Sequence, residues 1–135
     1  MNITGLVRLV AGSGADGVTS GDVSFTIPQT GENQQKFTQV IGTTLEQVVI
    51  HPDIIGASPQ LPNIGMLAVA NLDDTNYVEL SYAGVDDSTF NAAKFARIKP
   101  KSVNLISPTD MTSKTQIYAR ANVAAVRIAV TAVQA

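Results

Sequence analysis

Apolar and polar residues alternate with period two along much of this chain. Val126, Ile128 and Val130 fall on one side of a run whose other side is Arg127, Ala129 and Thr131, and Val23, Phe25 and Ile27 alternate with Ser24 and Thr26. That period predicts strands half buried against a core. The runs are densest over Ala68–Val130, each closed by a turn signal, and this stretch reads as the centre of a β-sheet core.

In chain order, Leu6–Val10 has the β-branched content of a strand, and the Gly/Ser-rich run Ala11–Gly17 ends it in a turn. Val23–Ile27 is the second strand, closed by Pro28, and Phe37–Ile41 the third, broken by Gly42. Residues 45–50 fit two patterns. Thr43 and Glu46 match a capping box and Leu45, Val48 and Val49 match helical spacing, but Val48-Val49-Ile50 running into His51-Pro52 favours a strand. Pro52–Asn63, with three prolines and no periodicity, reads as a crossover loop. Beyond it, Met66–Ala70 with Tyr77–Tyr82, Ala93–Ile98 with Val103–Ile106, and Gln116–Ala121 with Ala124–Ala132 are expected as three hairpins. Residues 84–89 and 108–113 read as polar loops. Eight to ten short strands with regular turns predict an all-β, single-domain antiparallel β-sandwich or jelly roll over residues 1–135, with residues 1–10 a candidate arm or edge strand.

Composition narrows the chemistry. Of 135 residues none is cysteine and one is histidine, so disulfides, thiolate chemistry and the usual zinc sites are excluded. Charged residues make up 15% and net charge is −2, which gives little steering of a polyanion and makes nucleic acid an unexpected partner. With 44% apolar residues, the chain is expected to have part of its surface covered by other subunits. Aromatics reach only 5%, with no Trp, which disfavours a lectin-like platform. No run of 18 apolar residues and no basic-then-apolar leader is present, so neither membrane spanning nor export is expected.

The candidate chemistry dissolves into turn chemistry on inspection. Gly12–Gly17 fits G-x-G-x-x-G after a strand, but a strand follows it where a nucleotide site needs a helix. Asp73-Asp74, Asp86-Asp87 and Asp110 lie in loops without EF-hand spacing, His51 stands alone beside Pro52-Asp53, and no serine sits in a G-x-S-x-G elbow. No enzyme activity, catalytic residue, metal or cofactor is expected. Basic residues do gather near turns and strands: Arg97, Lys99 and Lys101, and Arg120 and Arg127. With Leu6, Arg8 and Tyr118 they form the candidate interface set, because arginine pairs bidentately with a neighbour's carboxylates.

Four stretches, in this order and spacing, resemble a family of small virion structural proteins of tailed bacteriophages: residues 40–44 (Val-Ile-Gly-Thr-Thr), Met66–Leu80 around Asn71-Leu72-Asp73-Asp74-Thr75-Asn76-Tyr77-Val78, Phe95–Pro100, and Ile117–Val126 around Tyr118-Ala119-Arg120-Ala121. The likeness covers most of residues 20–132. One departure is at Pro100, followed here by Lys101-Ser102 where that family often has Gly-Glu, so the turn is expected to differ in type. The resemblance implies a non-enzymatic capsid decoration or cement protein made in a bacterial cytoplasm and carried on the virion. Its implied partners are the major capsid protein and its own copies, with a homotrimer favoured. A neck, tail or baseplate protein, or a carbohydrate- or receptor-binding module, is the alternative.

Overall fold

The computed structural model describes residues 2–11, 18–28, 34–50, 64–106 and 116–134. The Gly-rich run at 12–17, the crossover loop at 52–63 with His51, and Asp110 lie outside the described residues. The chain divides into two compact units, Met1–Thr30 and Gly31–Ala135, each described by itself.

The first unit is an antiparallel ribbon of β1 (Asn2–Ala11) and β2 (Val18–Pro28). Its register places Ile3 opposite Ile27, Gly5 opposite Phe25 and Val7 opposite Val23, so these six positions share one face. Thr4 with Thr26, Leu6 with Ser24, and Arg8 with Asp22 share the other. A bulge follows Arg8, where β2 uses one residue more than β1 before Val10 meets Thr19.

The second unit contains β3 (Gln34–Ile41), β4 (Glu46–Gln47), β5 (Ile64–Asn71), β6 (Val78–Ser81), helix α1 (Asp87–Ala92), β7 (Lys94–Ile98), β8 (Val103–Ile106), β9 (Tyr118–Ala121) and β10 (Val126–Gln134). Two four-stranded antiparallel sheets form, in the orders β3-β10-β5-β8 and β4-β9-β6-β7. First pairs with last and so inward: β3 with β10, β4 with β9, β5 with β8, β6 with β7. A long hairpin rolled over on itself has this connectivity, which is that of the jelly-roll sandwich. Ile41, Leu67, Val69, Val78, Leu80, Ile98, Val126, Ile128 and Val130 fill the core. The period-two signal of β10 is borne out: Val126, Ile128 and Val130 are buried and Arg127 is exposed.

The three expected hairpins are absent. In each case the two strands lie in different sheets, so the connections at 72–77, 99–102 and 122–125 cross the sandwich. A local turn signal reports a reversal, not which sheet receives the next strand; six residues at about 3.3 Å each easily span the roughly 10 Å between sheets. Residues 45–50 also differ from expectation. The strand is only Glu46–Gln47, although Val48 and Ile50 still point into the core and Val49 outward. The capping-box helix does not form; the Glu46 carboxylate accepts instead from the Gly42 N–H at 2.9 Å.

One buried amide ties the crossings together. Asn71 is 2% exposed at the end of β5; its Nδ2 donates to the Asn76 carbonyl (2.8 Å) and to the Ile98 carbonyl (3.1 Å), and its Oδ1 accepts from the Asp73 N–H (2.9 Å). Asp73 then folds the turn by accepting from the N–H groups of Thr75 and Asn76, which hold its carboxyl below the usual range. Backbone bonds join the neighbouring crossings: Asn71 N–H to the Ser102 carbonyl, Leu72 N–H to the Arg127 carbonyl, Lys101 N–H to the Asp73 carbonyl and Asn122 N–H to the Tyr77 carbonyl. In the 99–102 turn Pro100 is followed by Lys101 at φ 54°, the left-handed position that a type II turn usually gives to glycine. The turn is expected to differ in type for want of glycine, but Lys101 itself takes up the left-handed position.

Replacing Asn71 by Ala leaves two carbonyls and an N–H without partners, and we predict a loss of about 2–4 kcal/mol in urea unfolding. Asn71→Asp is expected to fail similarly, since a carboxylate cannot donate to either carbonyl. An N71A variant within about 0.5 kcal/mol of the parent, the range of an ordinary surface change, removes this role from Asn71.

Candidate interaction surface

The outward face of the β4-β9-β6-β7 sheet is built around an acid on its central strand. Val78 and Leu80 point into the core, so Glu79 and Ser81 point away from it, yet both are buried. Helix α1 supplies part of the cover. Its N-terminus is a capping box in which the Thr89 N–H donates to Asp86 Oδ1 (2.7 Å) and the Asp86 N–H donates to Thr89 Oγ1 (3.1 Å). The helix seats Phe90 fully buried, with its carbonyl accepting from Ser81 Oγ at 2.8 Å.

Strand register supplies the rest, because Arg97 and Arg120 lie directly opposite Glu79 on the two flanking strands. Glu79 Oε1 accepts from Arg97 Nη2 (2.7 Å) and Nε (3.2 Å) and from Lys94 Nζ (3.2 Å), and Glu79 Oε2 lies 3.6 Å from Arg120 Nη2. Burial opposes the charged form of Glu79, but the hydrogen bonds from Arg97 and Lys94 outweigh it and hold the carboxyl below its ordinary value. Arg120 also donates to Asp87 Oδ1 (2.7 Å) and Asn91 Oδ1 (3.2 Å) and lies over the Phe90 ring at 4.7 Å. Arg97 lies over the Tyr77 ring at 4.4 Å.

Of the interface residues expected from sequence, the structure brings Arg97, Tyr118 and Arg120 onto this one face. Tyr118 lies flat on Gly84: a Cβ there would meet the ring at 2.1 Å, so this close approach requires glycine. Lys99 and Lys101 belong to the 99–102 crossing instead. Lys101 Nζ donates to the Leu72 carbonyl (3.1 Å) and pairs with Asp74 (2.9 Å), and the Lys99 carbonyl accepts from Ser102 Oγ. Arg127 is on the other sheet, and Leu6 and Arg8 are in β1 of the first unit. The arginines expected to reach a neighbour's carboxylates are, for Arg97 and Arg120, paired within the chain. Glu79, Lys94, Asp87 and Phe90 were not legible as a group, because only the β9-β6-β7 register brings them together.

The outward face of the β3-β10-β5-β8 sheet is of the opposite kind. Pairing sets Thr38, Ala129, Ala70 and Val103 in one row and Lys36, Thr131, Ala68 and Leu105 in the next, with Val40 beside Arg127. Val40, Val103 and Leu105 are 52%, 64% and 48% exposed. These rows contain no carboxylate, and among the described residues Lys36 and Arg127 have no ion-pair partner.

Compared with protein-family models and with curated protein sequences, the chain matches none.

Glu79→Gln is expected to cost about 1–3 kcal/mol at pH 7, the range for hydrogen bonds to charged groups. The sign with pH follows from the depressed carboxyl: its contribution is full above the ordinary Glu range near pH 4–5 and is lost as pH falls through the lower folded value. Urea midpoints of parent and variant should therefore differ at pH 7 and converge on acidification. Equal midpoints at pH 7 remove the ion cluster as a stabilising element.

Proposed function

We propose that this chain is a non-enzymatic virion structural protein of a tailed bacteriophage, a capsid decoration or cement protein that binds at junctions between major capsid subunits as a homotrimer or other ring. The observation that carries this reading is the outward face of the β3-β10-β5-β8 sheet, where Val40, Val103 and Leu105 stand exposed around Ala68, Ala70 and Ala129 without a carboxylate. An antiparallel sheet facing water ordinarily carries mostly polar residues there, and exposed apolar side chains interspersed with Lys36, Thr38, Thr131 and Arg127 instead suit burial against another protein. The resemblance of Asn71–Val78 and Tyr118–Ala121 to phage virion proteins supports the same destination, and the fold suits it, although jelly rolls serve many functions.

Sugar binding is less well supported because no tyrosine offers a bare ring. Tyr77 is covered by Arg97, Tyr118 lies on Gly84, and Tyr82 stacks on Phe95 at 4.1 Å. The carboxylates of Asp73 and Asp86 are engaged by backbone N–H groups of their own turns. Weak single contacts suffice on a lattice, since several subunits engaging together raise one another's effective concentration.

Imaging purified virions tests this. Density for the chain repeated over the capsid lattice is expected. Density confined to the unique vertex or the tail would replace decoration with a neck, tail or baseplate role, and absence from the particle would overturn the virion reading altogether.

A further inference from the structure

We infer that the partner seated on the outward face of the β3-β10-β5-β8 sheet is a different protein, one that presents carboxylates on either side of an apolar contact. This rests on the virion role proposed above and names the chemistry of the surface that receives the chain. The face itself sets the requirement. Lys36 lies in the row of Leu105, and Arg127 lies beside Val40, where the Leu72 N–H donates to the Arg127 carbonyl and Leu72 is 43% exposed. Between them runs the row of Thr38, Ala129, Ala70 and Val103. Thr131 pairs with Lys36 and stands four residues from Arg127 on β10, so the two cations are roughly 13 Å apart along the strands. Neither has an ion-pair partner among the described residues, and covering the apolar positions between them strips water from both. A carboxylate of the partner against each cation offsets that cost.

A second copy of this chain is a poor occupant. Two copies joined through this face about a two-fold axis would gather Lys36 and Arg127 of both into one contact, with no carboxylate on either side to receive them. A head-to-tail contact needs an apolar residue flanked by free acids elsewhere on the chain. The candidate in the second unit is Val85, 88% exposed beside Asp86 and Asp87, but Asp86 accepts from the Thr89 N–H and Asp87 from Arg120 Nη1, so both acids are already engaged.

The size of the face suits a lattice. Three rows about 6.6 Å apart and four strands about 4.8 Å apart give roughly 300–400 Å². Counted on both partners, one copy buries on the order of 700 Å², below what a stable pair in solution needs, so attachment depends on several copies engaged together. The net charge of −2 gives no long-range attraction to an acidic surface, so the attraction is local to these cations and is screened by salt.

Carbodiimide treatment of purified virions tests this, because the reagent joins a lysine amine to a touching carboxylate as an amide and takes up the lost water as its urea. Mass spectrometry is expected to find Lys36 joined to an Asp or Glu of another virion protein at least about tenfold more often than Lys94, which pairs with Glu79 on the other sheet. Lys36 joined to Asp86 or Asp87 of a second copy, or left unjoined, overturns the inference. Occupancy adds a second measure. Phage carrying K36E/R127E are expected to hold the chain at least about tenfold below the parent with an unchanged urea midpoint, whereas K36R/R127K, which keeps both charges, stays within about twofold. Parent-like occupancy of K36E/R127E counts against the inference. Lattice density with Lys36 unjoined rejects this inference alone. A chain found on the tail, with Lys36 joined to another protein's carboxylate, rejects decoration alone, and absence from the particle rejects both.

Discussion

The sandwich depends on connections that cross between sheets without leaving buried polar groups unpaired. Each consecutive strand except β7 is delivered to the opposite sheet from its predecessor, and a crossing sets backbone carbonyls and N–H groups at the end of the core where no ladder can receive them. Asn71 resolves this at one end by serving the crossing at 72–77 and the end of β7 from a single amide. Nested pairing of first strand with last also places most contacts far apart in sequence, so loop closure must precede the contacts that stabilise it. Turns that fold locally, through Asp73 and through Pro100 with Lys101, reduce the conformational freedom lost at that step.

Strand existence was legible because burial on one face imposes a period of two, and in Val126–Val130 that period, carried by β-branched residues, outweighed the Ala-rich helix the segment could also have formed. Strand partnership was not. Asn71–Tyr77 contains the same Asp and Asn chemistry that closes a hairpin, and the choice between hairpin and crossing is made by the pairing of β5 with β10 and β8, which no local window contains. Helix α1 was missed for a different reason: six residues are too few for a periodic signal, and its only mark was Asp86 three residues before Thr89. For the candidate surface, residue type identified Arg97 and Arg120 as interaction-prone, but their partner Glu79 looked like any solvent-facing position in Val78-Glu79-Leu80. Register across three strands, not sequence proximity, made the cluster.

The two sheets treat their outward faces differently, and the contrast carries functional weight. On β4-β9-β6-β7 the central strand bears an acid whose desolvation is offset by three cations, and α1 with Phe90 closes over what remains. Removing any one member leaves the others poorly compensated, so this face is consistent with an internal brace. On β3-β10-β5-β8 no comparable ion cluster closes the rows of Thr38–Val103 and Lys36–Leu105 among the described residues; Val103 and Leu105 are exposed there beside half-buried alanines, with Lys36, Thr38 and Thr131 in the same rows. A chain under selection only to remain soluble would place charges at Val103 and Leu105, which lie on an edge strand where unpaired backbone groups already invite aggregation. That Val103 and Leu105 are apolar and exposed on that edge is the observation on which the proposed covering of this face rests.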